Sequence, residues 1–169
     1  MQMTEYFLSE LDREAERSKR ALELVPAGQA DWKPHERSMA FGPLASMVAT
    51  IPSWIALVIN QNELDIAPAA GQGQRPPQPN TSQEYLAALD TAVADGRKAL
   101  QGTTDDYLLN TKWKLLARGA TMANDPRHVV ISDLLNHLAH HRGQMTVYLR
   151  LMGAKVPALY GPSADDQRF

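Results

Sequence analysis

An uninterrupted helical pattern from Pro126 to about Met152 constrains this chain more than any other feature. Proline is tolerated in the first turn of a helix, and Gly153, with Pro157 beyond it, supplies a stop. At ~1.5 Å per residue such a helix is about 40 Å long. Ile131, Leu134, Leu135, Leu138, Met145, Leu149 and Met152 fall on one side of it. A long helix with one apolar stripe calls for helical partners of similar length.

Three further segments can supply them. The first runs from about Thr4 to Leu24, with Tyr6, Leu8, Leu11, Ala15 and Leu22 as its stripe and Pro26 after it. The second starts at Gly42-Pro43 and reaches about Gln61. Its Leu44, Met47, Val48, Ile51, Trp54, Ile55, Val58 and Ile59 cover nearly the whole circumference, which predicts burial on most sides. Pro52 removes one backbone hydrogen bond and predicts a bend near Val48. The third opens on the capping-box pattern Thr81-Ser82-Gln83-Glu84 and runs to about Leu100.

Asp65 to Asn80 is dense in Pro, Gly and Gln, the composition of a long surface crossover. Thr103 to Asn124 lacks a helical period, and Arg118-Gly119 predicts the turn of a short hairpin there. The expected fold class is all-α: one domain over residues 1–169, a four-helix bundle with a long crossover loop. A short hairpin precedes the last long helix and an ordered tail follows it.

Composition removes several functions. The chain has 169 residues, 44% hydrophobic and 21% charged, enough for a real core. With 17 basic and 19 acidic residues, a net charge of −2 and no basic run, it has no electrostatic draw toward nucleic acid or an anionic membrane. Without cysteine there is no disulfide, thiolate ligand or cysteine nucleophile, which fits a reducing compartment. Met1 to Arg20 has no signal-peptide apolar core, and Ile51 to Ile59, broken by Pro52, is too short to span a bilayer. The expected location is the cytoplasm. No G-x-S-x-G, phosphate-binding glycine loop or paired-carboxylate signature is present.

The chemistry lies on the last helix. His137 and His141 are four apart and project side by side, half a site for zinc, nickel or a similar divalent ion. Asp133 shares their stripe but lies ~12 Å of helix rise from His141, too far for one ion with ~2 Å bonds. Gln144 is likewise too far from His137. His140 points roughly 100° away from His141 around the axis, toward solvent or a dimer contact. His35 and His128 remain as alternative sources of a third ligand. Gln144 and Tyr148 share the histidine side, as pocket-lining groups or as packing residues with satisfied hydrogen bonds. Arg142, near the core-facing edge, is expected to pair with a carboxylate or cap carbonyls. Trp32, Trp54 and Trp113 read as core or pocket walls.

Three blocks then carry a resemblance. Asn136 to Leu151 reads NHLAHHRGQMTVYLRL and is followed by Val156-Pro157 and Tyr160-Gly161-Pro162-Ser163-Ala164-Asp165. Trp32-Lys33-Pro34-His35 with Ser38 precedes the second helix, and the run from Leu44 ends in Ile51-Pro52-Ser53-Trp54. Together they resemble the DinB/YfiT-like family of metal-binding four-helix bundles over essentially the whole chain. The resemblance implies a three-histidine metal site whose third ligand stands on the second helix, upstream of a tryptophan. Here that position is Met47, ahead of Trp54. A thioether suits Cu(I) and serves Zn(II) or Ni(II) poorly, so the divalent metal is expected to be weakly held or absent.

The resemblance also implies a homodimer, and Ala139, Gly143 and Val147 lie off the core stripe where they can serve one. Two functions compete. One is a divalent-metal-dependent hydrolase or small-thiol transferase, its third ligand supplied by another residue or by water. The other is a stress-associated protein of unassigned biochemical activity whose metal site is reduced to two histidines. Its small-molecule pocket would then be lined by Met47, Trp54 and the two imidazoles, with Gln144 and Tyr148. Loss of the third ligand favours the second. The charge balance predicts that no sub-micromolar, steeply salt-dependent affinity for duplex DNA will be found when binding is titrated at two salt concentrations.

Overall fold

The computed structural model describes residues 2–68 and 79–168. In chain order these form α1 (Met3–Leu22), α2 (Phe41–Asn60), β1 (Glu63–Asp65), α3 (Ser82–Gln101), α4 (Asp105–Asn110), β2 (Lys112–Ala117), β3 (Ala120–Pro126) and α5 (Arg127–Leu151). The centre of the expected crossover, residues 69–78, lies outside the described residues.

α2 occupies the middle, packed mainly on α3 and α5, while α1 closes against α3 and α5. One end of the core joins Phe41, Leu44 and Val48 of α2 to Tyr85 of α3 and to Leu138 and Met145 of α5. The other end joins Leu11, Ile55, Val58, Leu100, Trp113 and Ile131. Each fully buried large side chain contributes about 1.5–3 kcal/mol of transfer free energy. α2 is long and apolar enough, by length and composition, to cross a membrane. Here its apolar circumference is instead covered by the neighbouring helices, as the all-round hydrophobic pattern requires.

The helix ends are closed by partners both local and remote. Thr81 accepts the Glu84 N–H at 3.3 Å and Glu84 accepts the Thr81 N–H at 3.0 Å, completing the capping box. The Asp105 carboxylate of α4 accepts the N–H groups of Met3 and Thr4 at 2.8 and 2.9 Å, across the fold. At the end of α2, which has no basic residue in its last turn, the buried Arg127 side chain takes the carbonyls of Val58 and Gln61 and the Asn62 side chain. α5 stops as expected: Gly153 has φ 76°, with N–H bonds from Gly153 to Arg150 O and from Ala154 to Leu149 O.

The all-α expectation is corrected. The protein is mostly helical, but a three-stranded sheet of order β1-β2-β3 lies beside the helices. The β2–β3 hairpin turns at Arg118 and Gly119, with φ of 53° and 77°. This is the hairpin the sequence placed there, extended to Pro126, so that α5 begins at Arg127. β1 pairs in parallel with β2. Its three residues carry no periodic signal, and the Asp65 carboxylate fixes them by accepting the Arg118 and Gly119 N–H groups at 3.0 and 2.7 Å. With a third bond from Ala67, these backbone donors hold the Asp65 carboxyl below its usual range.

α2 and α3 approach closely at Gly96, where an added Cβ would lie 2.7 Å from the Pro52 carbonyl oxygen. That oxygen is backbone and cannot swing away, so the helices must part. Gly96→Ala is therefore expected to destabilise the protein by about 1–3 kcal/mol, despite alanine's better helix propensity, as read from the urea midpoint at constant m-value.

Candidate functional site

The roll of α5 is set by Arg142, which has 0% exposure. Its guanidinium pairs with the Glu14 carboxylate and donates to the Glu14 carbonyl at 3.1 Å and the Ser18 hydroxyl at 3.0 Å, all on α1. Tyr160 from the C-terminal tail donates to the same carboxylate at 2.9 Å, and Arg17 completes the group. Burial alone would raise the Glu14 pKa; the bond and charge of Arg142, then Tyr160 and Arg17, bring it below the usual range. Arg142 thus finds the carboxylate its sequence position called for.

With α5 so fixed, His137 and His141 converge. Their Nε2 atoms are 2.7 Å apart. The Gln144 side-chain oxygen lies 2.8 Å from His141 Nδ1, and since an amide oxygen only accepts, Nδ1–H is the donor. His141 Nε2 is then left as an acceptor, and one proton, carried by His137, lies between the rings. Replacing that proton by a tetrahedral ion with ~2.0–2.1 Å bonds needs the nitrogens ~3.3 Å apart, an opening of about 0.6 Å. His141 is buried and His137 half-buried. Burial first, then the neighbouring His141 and His140, pushes the His137 pKa below its ordinary value. His140 is exposed, its ring 5.2 Å from that of His141.

The other expected residues go to different places. Trp54 stands beside the pair, its ring 5.8 Å from His137. Met47 is half-buried on α2, packed on the core that receives Leu138 and Met145. Tyr148 stacks with Trp32 and Phe41, and its hydroxyl donates to the Met39 carbonyl at 3.2 Å. His35 is exposed and accepts the Arg37 N–H; His128 Nδ1 meets the Leu108 carbonyl at 3.2 Å. Among the described residues no group of three His, Cys, Asp or Glu side chains converges. The donor set fits a two-nitrogen grip on one ion and does not complete a three-nitrogen site.

His137 has a second role. It lies in the wall of a largely apolar cleft of about 850 Å³, between α2, α5 and the sheet. Trp54, Leu57, Trp113, Leu115 and Leu134 are among its walls, with Asp125 and Asp133 as its only carboxylates among the described residues. Sequence reasoning missed the sheet's share. The period-two alternation of Trp113 and Leu115 with Lys112 and Lys114 was the available signal, and β1, which brings Leu64, offered none.

Comparison with known proteins agrees with this architecture. Residues 1–168 match the model of the DinB family. A curated relative, the uncharacterized protein YrdA of Bacillus subtilis (strain 168), is 31% identical over 90 residues, 53% of this chain and 51% of that protein. The matched region thus spans about half the length of that relative. A DinB-like protein from Bacillus cereus ATCC 10987 superposes with a TM-score of 0.70 at 25% identity, covering 92% of this chain and 97% of the other. The DinB-like protein YjoA of Bacillus subtilis gives 0.67 at 18% identity over 96% and 99% of the two chains, which shows the shared fold.

The direction of the His137 shift gives a test with a fixed sign. In NMR titration of the metal-free protein, His137 is expected to take up its proton below the ordinary histidine value of 6.5. Since the unfolded chain then binds protons first, the contribution of this group to stability is complete above that value and is lost as pH falls through the folded pKa. A His137 titration above that ordinary value would contradict the geometry described.

Proposed function

We propose, from the premise that this chain belongs to the DinB family, that it is a small-molecule-binding member whose metal grip is reduced to His137 and His141. Its four long helices form the family's bundle, and the cleft beside them takes the ligand. The observation that carries this reading is the pairing of two convergent Nε2 atoms, 2.7 Å apart, with an apolar cleft that shares His137 as a wall. Two imidazoles alone bind zinc or nickel weakly, and the half-buried thioether of Met47 adds little for these borderline ions. Gln144 orients His141, and Trp54 flanks His137. A homodimer through the outer face of α5 is part of the proposal: Val147 is 56% exposed and Gly143 meets no atom where a Cβ would stand.

Met47→His is the decisive variant. A four-ligand structural zinc site is worth roughly 10–16 kcal/mol, so one ligand's share is about 3 kcal/mol. The variant is expected to gain about two orders of magnitude in zinc or nickel affinity, measured by competition titration, with the gain fading below about pH 6 as the imidazoles protonate. Equal affinities for wild type and variant would overturn the placement of Met47 at the third-ligand position. Nanomolar wild-type affinity abolished by His141→Ala would replace this reading with the metal-dependent hydrolase or thiol transferase, its third ligand drawn from elsewhere.

A further inference from the structure

The lining of the cleft is chemically one-sided. Two carboxylates, Asp125 and Asp133, line it, and among the described residues no lysine or arginine does. Neither carboxylate has a salt-bridge partner among the described residues. Lys112 and Lys114 alternate away from Trp113 along β2 and are exposed. Whatever the protonation state of His137, two anions outweigh one imidazole. The indole faces of Trp54 and Trp113 add the aromatic surface that attracts cations.

A second observation concerns Trp113. It lines the cleft at 6% exposure, while its indole N–H is buried within the protein with no acceptor among the described residues. What the cleft receives from this residue is therefore its aromatic ring.

We infer that the cleft selects a small amine: an apolar body against Trp54, Trp113 and the leucines, and a cationic head drawn to the carboxylates of Asp125 and Asp133. This rests on the reading of the cleft as a ligand site and goes beyond it in naming the ligand's charge. The same lining disfavours carboxylates and phosphates, which would meet two anions with no compensating lysine or arginine among the described lining residues.

Three matched probes separate the possibilities. Tyramine, tyrosol and hydroxyphenylacetate share one phenolic body and differ in carrying a cationic, neutral or anionic head. In calorimetric titrations against the full chain at neutral pH, tyramine is expected to bind about ten-fold tighter than tyrosol, the scale of a paired charge with aromatic contact. Hydroxyphenylacetate should bind more weakly than either. The double variant Asp125→Asn, Asp133→Asn, with an unchanged melting temperature, should lower tyramine to the affinity of tyrosol and leave tyrosol unmoved. Equal affinity for the three probes, or an amine preference that survives the double variant, would overturn the charge selection and leave the cleft standing as an apolar site. Binding by none of them would overturn the ligand-site reading and this inference together.

Discussion

The buried ion pair between Arg142 and Glu14 is the constraint on which the site depends. Arg142 follows His141 directly in the chain, and on a helix neighbouring residues cannot turn independently. Whatever fixes the guanidinium fixes the azimuth of the histidines. Arg142 has 0% exposure and is tied to the Glu14 carboxylate and carbonyl and to the Ser18 hydroxyl. Removing one member of such a pair costs about 3–5 kcal/mol, because the other is left charged and dry. Rolling α5 by even a fraction of a turn would incur that cost, so the imidazoles are held at their angle by α1, a helix they never need to touch.

The opposite end of α5 is anchored by a second buried arginine with different partners. Arg127 binds the carbonyl ends of α2 and lies 4.6 Å over the Tyr107 ring. A cation at a helix C-terminus meets the partial negative charge of the backbone, so no carboxylate is needed there. Between the two arginines lie Asp133, His137 and His141, one stripe held at both ends. Asp133 and His137 line the cleft, and His141 lies one turn beyond. The cleft and the histidine pair are therefore one rigid assembly joined through His137.

Met47 takes part in the helix packing of that assembly. Half-buried on α2, it lies against the core that receives Leu138 and Met145, and among the described residues no third His, Cys, Asp or Glu joins the two imidazoles. The polar pair stands at the edge of an apolar hollow, joined to it through His137.

The sequence determined the long helices and their caps, because apolar period, capping box and glycine stop are local properties that each segment expresses alone. It also determined that His137 and His141 share a face and that Arg142 needs a partner. The hairpin at Arg118-Gly119 was legible for the same local reason. The parallel pairing of β1, the closing of α1 by Asp105, the capping of α2 by Arg127 and the identity of Glu14 as the partner of Arg142 were not. Each joins residues far apart in the chain, and no short-range pattern encodes which remote group will arrive. The cleft belongs to the same class. Its wall is half helix and half sheet, so its existence, and the carboxylates that line it, were decided only when tertiary packing brought those surfaces together.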